Sequence, residues 1–544
     1  MLYLLFLLIL IIPVFIGFGE VFQRLFGSFF SLLSSKLIMG MVSVSVVWMV
    51  LSFFIPLNIV IEISTLAAGL LAFFYYQSYR EIWRFCAKAK ISLLIMTFVT
   101  VFFASYYPFI LDHFGYYVPT VKWISEVGLV RGISNLDLLL GQMSSWHILQ
   151  AGFSHFADPF LRMNLVVMIT WLMYIYEKKV YIHLIFFPVL YLFIQSPSPD
   201  LPAIALSLII LNEILRGNKN LGIVFTLSVF VFAIKATMIW LPAFVVLHHF
   251  FIAKSNTKVL IPGTFLLFLI LFKNIWTFGY PVFPVQLLDL ELSWKPNAEL
   301  LRNSSQMALQ KTFDMQFTPG EIQQFSIRDH IKNWIFLDGI KGKIHLFFIV
   351  SLWAFFIYAL SRKSKILWLL FVAILAKSIM VLMFSAQYRF FLDVFFVVFF
   401  ILFNQKWSRK NTLVGFSALS LVLGLLLSFP NVLKSVFPSF RLGAFMTGFT
   451  KDQLYKPAYF ELGKFKTYQI GNLRFNVVQD YPFSFDTPLP AISPQFIRED
   501  LDAGIFPQLK GKTLNEGFIW RDLTESEKIH VKKILDDWAV ENHK

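Results

Sequence analysis

The chain has 544 residues, 57% of them hydrophobic and only 15% charged, which is more apolar side chain than the core of a soluble domain can bury. With 65 Phe and 14 Trp, the composition excludes a soluble globular enzyme and points to a multi-pass membrane protein with aromatic interfacial belts. The net charge of +15 does not mark a nucleic-acid binder: from Phe437 onward 14 bases balance 14 acids, so the excess sits in loops between apolar segments.

In chain order, apolar runs near 3–19, 38–55, 59–77, 91–110, 161–176, 180–195, 202–215, 221–234, 238–253, 259–276, 344–360, 366–384, 390–404 and 412–430 predict about 14 transmembrane helices. The first run lacks a basic leader and a small-residue cleavage site, so it reads as a transmembrane helix and not a signal peptide. Basic clusters follow alternate spans: Arg80, Arg84, Lys88 and Lys90; Lys178 and Lys179; Arg216 and Lys219; Lys254 and Lys258; Arg362, Lys363 and Lys365; Lys406, Arg409 and Lys410. All six fall on one side, which the positive-inside rule makes the cytoplasm.

The predicted organisation is then N-terminal transmembrane helices over 1–110, a large periplasmic loop over 111–160, and a transmembrane bundle over 161–430. A second outer loop interrupts the bundle at 277–343, and a small periplasmic α+β domain covers 431–544. In that last part Phe465 to Val478 (FKTYQIGNLRFNVV) predicts a hairpin turning at Gly471-Asn472, because glycine opens a type II′ turn. Thr524-Glu525-Ser526-Glu527 is a capping box that starts a helix to about Val540.

Several ionisable residues collect at the outward edges of the predicted spans. Asp112 follows the span ending at Ile110, Asp200 lies in Ser196-Pro197-Ser198-Pro199-Asp200-Leu201-Pro202, Lys235 and Lys273 end or nearly end their spans, and Arg389 lies in a short turn. Charge at the edge of hydrocarbon is costly and normally faces a cavity or a partner. For Arg389 the competing reading is a helical pair with Asp393, four residues on. Trp123 and Trp146 are read as interfacial anchors. No P-loop, Gly-x-Gly-x-x-Gly or zinc spacing occurs, so neither nucleotide nor protein-held zinc is expected.

The sequence D-x-x-x-Y-Y-x-x-x-x-K-W-I from Asp112, G-L-V-R-G-I-S-N from Gly128, S-S-W from Ser144, the S-P-S-P-D-L-P turn, G-Y-P-x-x-P from Gly279 and the late Arg389-Phe390 resemble an uncharacterised bacterial family of large polytopic membrane proteins. An acidic residue opening the first large outer loop also resembles the C-type glycosyltransferase (GT-C) superfamily. The resemblance implies an all-α, GT-C-like membrane bundle in a bacterial inner membrane. Its partners would be the lipid bilayer and a polyprenyl-phosphate-linked sugar donor for a cell-envelope glycan. It implies catalytic roles for Asp112 and His113, with His147 assisting, and substrate contacts from Tyr117, Lys122, Arg131, Asp200, Lys235, Lys273 and Arg389. Asp112 would act as base or hold a divalent cation such as Mg or Mn; no protein metal site is otherwise expected. A transporter or flippase of a lipid-linked or anionic solute, and a non-catalytic envelope assembly protein, are the alternatives.

Overall fold

The computed structural model describes residues 1–404, 406–436, 448–461, 463–479 and 481–542, and its architecture is mostly helical. Three helices, α1 (Leu2–Phe26), α2 (Leu33–Leu51) and α3 (Ile59–Tyr75), form the N-terminal layer. Their glycines allow backbone to meet backbone. A Cβ on Gly40 of α2 would lie 1.9 Å from the Phe15 carbonyl oxygen of α1, and one on Gly19 of α1 would lie 1.9 Å from the Lys36 carbonyl oxygen of α2. The short helix α4 (Tyr79–Lys88) leaves α3 at 74°, and α5 (Ile91–Ala104) leads to the Asp112 loop.

That loop holds α6 (Val118–Glu126) and α7 (Ser145–Ala151). The central bundle follows as α8 (Met163–Lys178), α9 (Phe187–Leu190), α10 (Asp200–Leu215), α11 (Leu221–Ile234), α12 (Trp240–His248) and α13 (Ile261–Phe278). Between Phe278 and Ile340 lie only short helices and loop, α14 (Ala298–Thr312), α15 (Pro319–Gln324) and α16 (Ile327–Ile335). The chain then returns to long apolar helices in α17 (Ile340–Arg362), α18 (Lys365–Phe384), α19 (Leu392–Phe403) and α20 (Arg409–Ser428), followed by α21 (Pro430–Val436).

The expected count of 14 spans is corrected. Among the described residues seven helical segments are long and apolar enough to cross a bilayer: 2–26, 33–51, 236–253, 257–278, 340–362, 365–384 and 409–428; the bent α3–α4 pair would make eight. Of the other apolar runs, α8, α10 and α11 are core, whereas α5 leaves Ile91, Leu94, Ile95 and Phe98 exposed. Helices of 12 to 16 residues, such as α5, α8, α10, α11 and α19, reach only about 18–24 Å, short of the ~30 Å hydrocarbon layer. Nearly every residue of α8 and α10 is buried, so these helices are apolar on all sides because protein surrounds them.

Beyond the bundle the described residues form two β-hairpins and two helices. Strand β1 (Phe465–Ile470) pairs antiparallel with β2 (Leu473–Val478) in the expected register, with Ile470 opposite Leu473 and Gly471 at φ +58°. A second hairpin, β3 (Ile505–Leu509) with β4 (Phe518–Asp522), was not foreseen: Pro507 lies inside one strand and the connection runs from Lys510 to Gly517. Asn472 joins the hairpins, donating to the Leu509 carbonyl and accepting from its amide, each at 2.9 Å. Helices α22 (Pro494–Asp502) and α23 (Glu525–Asn542) complete this part, and Thr524 and Glu527 cap α23 as predicted.

This C-terminal part is stitched to the helices. The Phe518 amide donates to the Arg131 carbonyl at 2.9 Å, Trp520 donates to Lys295 at 3.0 Å, and the Ala458 amide donates to Ser105 at 2.8 Å. The buried Arg162 guanidinium reaches the carbonyls of Ala104 (3.0 Å) and Ala458 (2.7 Å). The close α1–α2 contact yields a first prediction. Gly40→Val forces a side chain into the Phe15 backbone and should cost about 1–3 kcal/mol, read as a lowered Tm of the detergent-purified protein; an unchanged Tm would contradict the close contact.

Candidate functional site

Four ionisable residues from distant parts of the sequence meet at one end of the bundle. After α5 the chain runs irregularly to Asp112, then makes one widened helical turn, His113–Tyr117, that feeds directly into α6. Arg389 sits in a single tight turn, Tyr388–Phe390, between α18 and α19. Its Nη1 donates to Asp112 Oδ2 at 2.9 Å across 277 residues of sequence. Both side chains stay partly open, Arg389 at 46% and Asp112 at 31% exposure.

Beside this pair stands a second. Asp200 opens α10, where its charge is favoured by the helix N-terminus, and it takes the ammonium of Lys235, which ends α11. The Ser-Pro turn before Asp200 is held from below by Asn164, which donates to the carbonyls of Phe193, Ser196 and Ser198 at 2.7–3.0 Å. Phe390 ties the two pairs together: Arg389 lies 5.2 Å and Lys235 5.7 Å from the centre of its ring. Tyr116 feels the charges of Asp112, Arg389 and Asp200; burial first, and then Asp112, push its phenol far above the ordinary range. At neutral pH Tyr116 is therefore a neutral hydroxyl set between two ion pairs.

A third pair lies deeper. Lys377 of α18 and Asp393 of α19 are buried and 2.6 Å apart; Lys377 also donates to the Phe390 carbonyl at 2.5 Å, and Trp240 donates to Asp393 at 2.8 Å. Asp393 thus serves Lys377, and the helical pair with Arg389 is not made. The deep pair grips the turn that presents Arg389 from behind.

Of the remaining expected residues Tyr117 borders the ion pairs, its ring 4.5 Å from that of Tyr116, and the others lie elsewhere. Tyr117 is buried against His147, with ring centres 4.9 Å apart, and burial pushes the His147 pKa down to about 3. His113 is buried beside Phe114, and burial, with the Arg162 charge, lowers its pKa well below the usual value, so it stays uncharged. Lys122 donates to the Asp486 carbonyl and lies 3.9 Å from Glu126, which makes it a tie to the C-terminal part. Arg131 lies 4.3 Å from the Trp276 ring and 5.0 Å from the Trp294 ring. Lys273 donates to the Gln142 and Met143 carbonyls at 2.8 and 2.9 Å. Trp123 and Trp146 are 1% exposed, which corrects their reading as interfacial anchors.

Sequence reasoning missed Tyr116, whose signal was its place in the same D-x-x-x-Y-Y motif as Tyr117, and Phe390, beside Arg389. It also missed the buried Asp158, Arg162 and Glu62; Glu62 accepts three successive loop amides from His155, Phe156 and Ala157 at 2.6–3.0 Å. Among the described residues no three His, Cys, Asp or Glu side chains gather as ligands for a metal. With Arg389 on Asp112 and Lys235 on Asp200, the donor set does not fit a divalent cation.

The fold and this charged end define a helical, multi-pass membrane protein with two partly open ion pairs at one end of its core. Residues 1–396 match the family described as "Domain of unknown function (DUF8201)", and the chain belongs to that family. No curated protein and no solved structure matches it. The matched stretch carries all three ion pairs, whereas both hairpins lie beyond it.

The deep pair gives a second prediction. Lys377→Met or Asp393→Leu alone leaves an uncompensated buried charge and should cost ~3–5 kcal/mol, whereas the double variant should be nearly as stable as the parent. Thermal unfolding in detergent reads the order, and singles no worse than the double would contradict a dry, coupled pair.

Proposed function

We propose that this protein is a membrane glycosyltransferase-like enzyme that uses a polyprenyl-phosphate-linked sugar to build a cell-envelope glycan. In this reading it works at the outer face of a bacterial inner membrane, with the C-terminal part on the periplasmic side. Arg216, Lys254 and Lys406 follow the ends of α10, of the helical stretch begun by α12 and of α19 that lie away from Asp200, Lys235 and Arg389, which supports that orientation. The observation that carries the reading is the Asp112–Arg389 pair, partly open and adjoining Asp200–Lys235.

Transfer breaks the bond from sugar C1 to the carrier's phosphate oxygen and forms one from C1 to an acceptor hydroxyl. The lipid phosphate leaves with the bonding electrons, and the hydroxyl proton goes to a base. Arg389 offers a planar fork for that phosphate, Lys235 a point charge, and Tyr116 a neutral hydroxyl donor. An entering phosphate competes with Asp112 for Arg389; its arrival frees the Asp112 carboxylate to take the acceptor proton. Asp112 is thus the base, and Arg389 and Lys235 bind the leaving group.

A carrier of the same lipid-linked anion is the second reading, favoured by the buried Lys377–Asp393 charges. One experiment separates the two. The protein is reconstituted in liposomes with radiolabelled polyprenyl-phosphate hexose and an envelope acceptor fraction. Label should enter polymer, and Asp112→Asn should lower transfer ~10²–10⁴-fold with the protein still folded. Label that changes leaflet without reaching polymer would overturn the transferase reading and support the carrier.

A further inference from the structure

At the opposite, basic side of the chain, α4 reads as a helix made for a surface. Its sequence, YREIWRFCAK, puts Tyr79, Ile82, Trp83, Phe85 and Cys86 on one arc and Arg80, Arg84 and Lys88 on the other, and none of its residues is buried. It turns 74° away from α3, whose Leu71, Phe74 and Tyr75 are exposed up to the bend. The elbow is braced on the protein side. Lys36 holds Glu81 at 2.7 Å, the Phe85 ring packs edge-on against Tyr176 at 5.7 Å, and the Tyr176 hydroxyl donates to the Lys88 carbonyl. On the other side Trp83 is 76% exposed.

The elbow forms an open groove of about 850 Å³, lined by Phe73, Tyr79, Ile82 and Trp83 together with Arg80 and Arg84. Its apolar lining comes mainly from α4, where Trp83 and Tyr79 are exposed, and Arg80 and Arg84 of the same helix make it cationic. Lys88 and Lys90 add to the positive field, while the one acid of the helix, Glu81, is already neutralised by Lys36.

We infer that the α3–α4 elbow is a binding site for one anionic phospholipid of the surrounding leaflet, its acyl chain against Tyr79 and Trp83 and its phosphate between Arg80 and Arg84. Charge complementarity selects this occupant: among the described residues no carboxylate pairs with Arg80 or Arg84, and a zwitterionic lipid would fill the same groove without compensating them. The site is independent of the transferase reading, since it shares no residue with the ion pairs at the other end.

Native mass spectrometry of the full-length protein with equal amounts of phosphatidylglycerol and phosphatidylcholine of identical chains tests it. Phosphatidylglycerol should be retained preferentially. Arg80→Gln and Arg84→Gln should each weaken that retention roughly fivefold, leaving phosphatidylcholine unchanged. Cys86, the single cysteine, borders the groove and provides a second readout on otherwise unaltered protein. A fluorophore there, in nanodiscs, should be quenched more by brominated phosphatidylglycerol than by brominated phosphatidylcholine, with the difference shrinking at high salt. Equal retention or equal quenching by the two lipids, or arginine variants that lose nothing, would overturn the assignment.

Discussion

A lysine deprived of water must find acceptors inside the protein, and the buried Lys377 finds two, the carboxylate of Asp393 and the backbone carbonyl of Phe390. Desolvation makes this pair costly to bury and costlier to break, so α18 and α19 are locked in one register. The turn between them has little freedom, and Arg389 is delivered to Asp112 from a fixed base. The same logic recurs at each junction: Asn164 fixes the Ser-Pro turn that carries Asp200, and Glu62 gathers three amides of the loop ahead of Arg162. Where hydrocarbon or core excludes water, polar groups become the geometric fasteners of the fold.

Such fastening explains what could be read in the sequence. Charge at the edge of an apolar run is conspicuous, and Asp112, Asp200, Lys235 and Arg389 were all legible that way; the structure brings these four together. The β1–β2 hairpin and the cap of α23 were legible because Gly471-Asn472 and Thr524/Glu527 carry local instructions. Hydropathy alone could not separate helices that face lipid from helices wrapped in protein, since both are uniformly apolar, and the span count was too high for that reason. Partner choice was equally hidden. Nothing in the sequence tells Asp393 to prefer Lys377 over Arg389, or sends Lys122 to the Asp486 carbonyl and Arg131 to two tryptophan rings.

The C-terminal part is more than an appendage. The Phe518 amide meets the Arg131 carbonyl, and a Cβ on Gly132, at φ +62°, would lie 2.5 Å from the Phe518 carbonyl oxygen. The strand and the Asp112 loop are thus in backbone contact, and the loop that supplies Asp112, Tyr116 and Tyr117 is roofed by residues from the far end of the chain.

The Tyr3 amide hydrogen-bonds to the Tyr455 carbonyl at 2.9 Å. Insertion into the membrane proceeds from the N-terminus, so α1 emerges long before the segment that secures it has been translated. Until then its end near Tyr3 is held by the Asp112 loop alone, through the Tyr3 hydroxyl on the Phe156 carbonyl at 3.0 Å and the Phe160 ring, and the last backbone tie at this end is a late, post-insertional event. The segment around Tyr455 thus fastens a helix laid down far earlier in the chain.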